Sequence, residues 1–98
     1  MKFDWNPDKN KLLKLTRGID FQSIVRAIKK KKVLLDTPHF DQIRYPKQRI
    51  LIISIKSYAY IVPYVQNGPT RFLKTIYPSR RYYKKYLKNA QKAKIRSL

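Results

Sequence analysis

Two neighbouring runs decide most of what this chain can become. "RILIISI" (49–55) and "YAYIVPYV" (58–65) are β-branched and aromatic almost throughout, and Lys56-Ser57 alone parts them. Such residues suit a pleated, half-buried surface, and two runs joined by so short a break predict an antiparallel hairpin. Pro63 cannot donate to a ladder, which predicts an edge or a bulge there. Period-two alternation places Tyr58, Tyr60 and Tyr64 on one face. Packing is the expected role of that face, and a stacking platform for bases the sharper alternative.

The other elements arrange themselves around the hairpin. "MKFDW" alternates and predicts a short first strand. Asn6 and Pro7 predict an N-cap and first helical residue, with a helix to about Thr16 whose Leu12 and Leu15 face inward. Gly18 is its expected stop. Asp20 caps a second helix, on which Phe21, Ile24, Val25 and Ile28 form the clearest helical stripe in the chain. The lysines at 29–32 close it, where cations suit the helix dipole. "VLLD" predicts a strand, "TPHFDQIRYPKQ" a polar loop, and Asn67-Gly68 a second hairpin turn. "RFLKTIY" predicts the last strand, with Arg71, Leu73, Thr75 and Tyr77 on one face and Phe72, Lys74 and Ile76 on the other. Lys74 is the odd cation there, either snorkelling at the edge or pointing into a cleft beside Arg80. Ser79 then caps a helix from about Arg80 to Ala93, with fraying from about 90. The order β-α-α-β-β-β-β-α describes a single α+β domain with a small, mostly antiparallel sheet, one face covered by the two early helices.

Charge narrows the function. The 98 residues carry 24 Lys and Arg against five acids, all Asp, for a formal charge of +19. That imbalance strains the compact state and calls for a polyanion or an acidic partner. Hydrophobic residues at 43% argue against a disordered basic tail. No stretch is long and apolar enough for a membrane span and the N-terminus has no signal core, so no membrane is expected and the expected compartment is cytoplasmic. With no Cys and one His, a metal centre is poorly supplied. His39 between Asp36 and Asp41 is the one weak grouping, and a solvated loop is the expectation there. No cofactor motif is present.

Cations and phenols remain. RNA carries its own nucleophile in the 2′-hydroxyl. Cleavage then needs stabilisation of charge on the phosphate and proton transfer, which Arg, Lys and Tyr can supply without a metal. In the last helix Arg80, Lys84 and Lys88 are spaced four apart, as are Arg81 and Lys85. Arg81, Lys84, Lys85 and Lys88 are therefore candidate RNA contacts, with Tyr83 and Leu87 expected in the packing.

"KFDW", "RGIDF", the arginine opening "QRILIISI" and "FLKTIYPSRR", in that order, resemble the BrnT-like toxins of bacterial type II toxin–antitoxin systems, a family related in fold to the RelE and ParE group. The resemblance runs from about Lys2 to Leu87. It implies a RelE-like fold, inhibition of translation by RNA cleavage, on free RNA or at the ribosome, and an acidic antitoxin encoded nearby. Arg49 matches the family's strand-opening arginine and Arg80 its arginine near the end. The family's His before glycine is Arg17 here. Arg49 and Arg80 are thus the carried-over catalytic candidates, and the strand reading adds Lys74 and Tyr77. The alternatives are a toxin acting on a protein such as DNA gyrase, or a basic nucleic-acid-binding module without catalysis.

Overall fold

The hairpin expected at 49–65 forms the middle of a six-stranded sheet in the computed structural model, which describes residues 1–88. In chain order, β1 (Lys2–Trp5) leads to α1 (Pro7–Arg17) and α2 (Phe21–Lys29). β2 (Val33–Pro38), β3 (Gln48–Ile55), β4 (Tyr58–Asn67), β5 (Thr70–Leu73) and β6 (Tyr77–Pro78) follow. A short α3 (Arg80–Tyr83) passes into a π-helical turn, Lys84–Lys88. The rest of the expected last helix, and the expected fraying, lie outside the described residues. The sheet order is β1-β5-β4-β3-β2, with β6 also on β4. The β1–β5 pairing is parallel and the others are antiparallel, so the fold is α+β with a mixed sheet.

Local chemistry sets the helix ends. The Asn6 side chain accepts from the N–H groups of Asp8 (2.8 Å) and Lys9 (3.1 Å), and Gly18 stops α1 at φ 66°. Asp20 accepts from the Ser23 N–H at 2.8 Å and opens α2. The phase of α1 differs from expectation. Leu13 is buried, whereas Leu12 and Leu15 are exposed. Polar anchors on the Leu13 side explain the rotation. The Asn10 side chain accepts from the Phe21 N–H at 2.7 Å and donates to Gln22 at 2.8 Å, and Arg17 donates to the Ile76 carbonyl. Positions 10, 13 and 17 share one helical face, and hydrogen bonds to α2 and the sheet fix it inward.

The sheet buries both faces, not one. Under α1 and α2, Phe21, Ile24 and Leu13 pack on Leu51, Ile53, Val62, Tyr64, Leu73 and Ile76. Phe21 is fully buried and stacks on Trp5 at 5.6 Å, which contributes about 2–3 kcal/mol in burial alone. On the opposite face, Ile50, Ile52, Ala59 and Ile61 lie under Tyr77, Tyr82, Tyr83 and Leu87. The tyrosines of the last helix are therefore part of a second core. The second hairpin turn sits one residue later than expected. Asn67 pairs with Thr70, and Gly68, at φ 57°, occupies the first turn position before Pro69.

Two departures from strict alternation re-aim side chains. In β2, Val33 pairs with Ile53 but Leu35 pairs with Ile52, leaving Leu34 as a bulge. The extra residue turns Asp36, opposite Leu51, toward the face covered by α1 and α2. The second departure lies between β5 and β6, and it shapes the site.

Candidate nucleic-acid cleft

The expected strand 71–77 is broken at 74–76, and Pro63 supplies the reason. The Lys74 N–H donates to the Pro63 carbonyl at 2.8 Å. An antiparallel pair of this kind needs a second bond in return, and proline has no N–H to give. The ladder lapses, and pairing resumes at Ile61↔Tyr77. Because the break shifts the alternation by one residue, Leu73 and Ile76 both enter the core under α1 and α2, while Tyr77 joins the opposite face. Alternation alone places Lys74 and Tyr77 on opposite faces. The break brings them into one cleft.

That cleft has a volume of about 460 Å³. Lys74, Thr75 and Tyr77 form one wall, Pro63 and Gln48 lie at its base, and the loop carrying His39, Phe40, Asp41, Arg44 and Tyr45 forms the other wall. Burial is the main cause that raises the Tyr77 phenol above the ordinary tyrosine value, with smaller contributions from Tyr82 and Tyr45. At neutral pH Tyr77 is therefore a proton donor, not a phenolate.

His39 departs most from expectation. It is 6% exposed, not part of a solvated loop. Its ring lies against Phe40 (4.5 Å) and Tyr45 (4.6 Å). Its backbone N–H donates to the Gln48 carbonyl at 2.9 Å, and its carbonyl accepts from the Gln42 side chain. The Asp41 N–H donates to Nδ1 at 3.0 Å, so in the neutral ring the proton resides on Nε2. Asp41 organises the rest of the loop by accepting from the Arg44 N–H at 3.0 Å and pairing with the Arg44 side chain at 3.7 Å. The three groups His39, Asp36 and Asp41 do not assemble, because Asp36 is engaged on the other face. The sequence signal for His39 is its company: a lone imidazole among Phe40, Asp41 and Tyr45 has both ring partners and a cap within reach.

The other candidates lie elsewhere. Arg49 points to the side of the sheet opposite the cleft. There its Nε donates to Asp36 Oδ1 and to the Tyr64 hydroxyl, each at 3.2 Å. Arg80 lines a different hollow, with Tyr58, Tyr83, Lys84 and Lys88. Lys74 bonds opposite Pro63 and Ser79 opposite Ala59, so Lys74 and Arg80 are separated by about four strand residues, roughly 14 Å. Arg81 and Lys85 are exposed on α3 and the turn after it. Thus Lys74 joins Tyr77, Arg80 joins Lys84 and Lys88, and Arg49 joins neither group.

The Arg49 cluster has its own logic. The Tyr64 hydroxyl donates to Asp36 Oδ1 at 2.7 Å, and Arg71 reaches Asp36 Oδ2 at 3.4 Å while its guanidinium lies 4.9 Å from the Tyr64 ring centre. One carboxylate thus holds a buried phenol and two arginines. Arg49 is held more firmly charged, first by the Tyr64 hydrogen bond. Burial is the leading cause that raises the Tyr64 phenol, with Asp36 adding to it and Arg49 opposing it. A raised folded-state value favours the neutral phenol. Its stabilisation is complete below the unfolded value near 10.0 and is lost as pH rises through the folded value. Urea midpoints should therefore fall between about pH 9 and about pH 11, and less steeply in Tyr64→Phe than in the parent. Equal slopes in the two proteins would contradict this.

No protein-family model matches the chain, and neither the curated proteins nor the solved structures yield a match.

Proposed function

We propose that the chain is a toxin-type ribonuclease that cleaves RNA without a metal, with the Lys74–Tyr77–His39 cleft as its site. The supporting observation is a single one. The break opposite Pro63 brings an ammonium and a protonated phenol into one cleft with an imidazole whose Nδ1 is taken and whose Nε2 carries the proton. Lys74, and the His39 Nε2–H, would stabilise charge on the non-bridging phosphate oxygens. The 2′-oxygen attacks phosphorus as its proton leaves to solvent, and the P–O5′ bond breaks. Tyr77 donates its proton to the departing 5′-oxygen and is reprotonated from water. The products are a 2′,3′-cyclic phosphate and a 5′-hydroxyl. Phe40 and Tyr45 offer faces for a base beside the phosphate. The fork of Arg49 is already engaged, which suits a structural role. Arg80, Arg81, Lys84, Lys85 and Lys88 suit phosphate binding along the strand. A RelE-like relationship and an acidic antitoxin partner rest on the sequence resemblance.

The purified chain, in excess chelator, should cut an oligoribonucleotide and leave cyclic phosphate ends. It should not cut the same sequence as DNA, which lacks the nucleophile. Equal cutting of both, or ends of another kind, would refute the mechanism. Binding without cutting would leave a basic binding module. One observation favours a second reading, a protein target such as gyrase: Phe40 and Ile43 are 68% and 96% exposed on the loop beside the cleft. Growth arrest with intact RNA, abolished by Ile43→Asp, would select it.

A further inference from the structure

We infer that the tip of the β3–β4 hairpin, with the end of α2, is a second phosphate-binding site that holds the backbone of the same RNA strand away from the cleft. This inference rests on the reading of the cleft as an RNA site, but its own residues are different. Arg26, Lys30, Lys32 and Lys56 line a hollow of about 260 Å³ together with Ser23 and Ser54. No carboxylate lines it, and among the described residues Lys30, Lys32 and Lys56 have no ion pair, while Arg26 donates to Ser23 Oγ at 3.0 Å and is partly offset by the Asp20 carboxylate that Ser23 also binds. Three uncompensated lysines around so small a space repel one another, and an anion is what relieves them.

The backbone adds an independent observation. Lys56 and Ser57 both lie in the left-handed region, at φ 51° and 62°, and Lys31 does so at φ 59°. A two-residue turn of this kind is best served by Asn-Gly. Lysine is not the residue such a turn favours, and Lys56, unlike the equally left-handed Lys31, lines the hollow, which fits a side chain that completes a site. Immediately across the turn, Tyr58 lines the hollow that holds Arg80, Lys84 and Lys88. The hairpin tip is thus a ridge between two cationic hollows. β3 links this end to the cleft, since Gln48 lines the cleft and Ile55 lines the hollow, about 24 Å apart along the strand. Arg81, Lys84 and Lys85 are exposed on α3 and the turn after it, and Lys84 lines the hollow across the hairpin tip. A single phosphate would fill one hollow; a chain of phosphates fits the band.

The test compares a trinucleotide, too short to bridge the two ends, with a twenty-nucleotide RNA. Lys30→Gln, Lys32→Gln and Lys56→Asn with Ser57→Gly are combined in one variant. For the longer strand, the slope of log affinity against log salt should fall by about 0.7 for each phosphate that is no longer neutralised, about 2 in all. Binding of the trinucleotide should not change. The Lys56→Asn/Ser57→Gly variant alone should melt higher than the parent yet bind the longer strand less tightly, a pairing that a purely structural turn would not give. Lys2, Lys11 and Lys14 changed together to Gln, the same number of charges, should leave the slope unaltered. An unchanged slope in the hairpin variant, or equal losses for both RNAs, would overturn the inference. So would tighter binding to phosphatidylglycerol vesicles than to RNA that the hairpin variant abolishes. Lys74→Ala judges the cleft separately: if it leaves the rate of trinucleotide cleavage within twofold of the parent, the cleft reading fails, while the slope for the longer strand still decides the hairpin.

Discussion

Tyr64→Ala should destabilise the chain by about 4 kcal/mol, lowering the melting temperature by roughly 15–30 °C. The ring is 1% exposed and belongs to the core under α1 and α2. Its removal leaves a cavity between β3 and β5. It also strips Asp36 of its shortest hydrogen bond, at 2.7 Å, and removes the ring beneath Arg71. Tyr64→Phe separates the two contributions. It keeps the ring and deletes the donor, so it should cost about 1–2 kcal/mol. Chemical unfolding of both variants checks the division. If the alanine variant costs no more than the phenylalanine variant, packing is not what Tyr64 contributes.

Lys74→Ala should lower the rate constant of RNA cleavage by about 10²–10³-fold, and His39→Ala by about 10²-fold, with unfolding midpoints close to the parent for Lys74→Ala. Lys74 is exposed and its ammonium lies 5.2 Å from the centre of the Phe72 ring, outside both buried clusters, so its loss should be felt in the chemistry more than in stability. His39 packs between two rings, and its removal will also loosen the loop. His39→Gln is the better probe, because it retains a donor near the Nε2 position and should recover part of the rate. Arg80→Ala lies in the other hollow and should raise KM while leaving kcat nearly unchanged. Single-turnover kinetics distinguish these outcomes. Rates within twofold of the parent for both Lys74→Ala and His39→Ala would remove the cleft from the mechanism.

The elements are legible where a local rule decides them. Asn6, Gly18 and Asp20 bound the helices as their chemistry requires, and Ile50 to Ile53 against Ala59 to Val62 could only form the sheet centre. Alternation fails where one residue is skipped. Leu34 and Lys74–Ile76 shift their strands by one, and no propensity marks Leu34 as the extra residue. Pro63 does signal trouble, but in its own strand; the consequence falls on the strand it cannot bond. The phase of α1 escapes a hydrophobic reading because Asn10 and Arg17, polar residues, outweigh Leu12 and Leu15 in fixing it. His39 resembles loop in sequence because a ring sandwich joins positions 39, 40 and 45 through space. The pairing of Lys74 with Tyr77, and the separation of Arg49 and Arg80, follow from register and faces that spacing along a chain does not encode.

The two skipped residues have a consequence in evolutionary terms. Deleting Leu34 would leave Val33, Leu35 and Asp36 in plain alternation opposite Ile53, Ile52 and Leu51 as before, and losing one residue from 74–75 would likewise leave Leu73, Ile76 and Tyr77 on their present faces. A one-residue change of length inside β3 or β4, where the pairing is regular, would instead turn every later side chain of that strand to the other face. Descendants of this chain should therefore carry single-residue gaps at Leu34 and Thr75 more readily than within β3 and β4, so these two positions are where strand length can drift without loss of the fold.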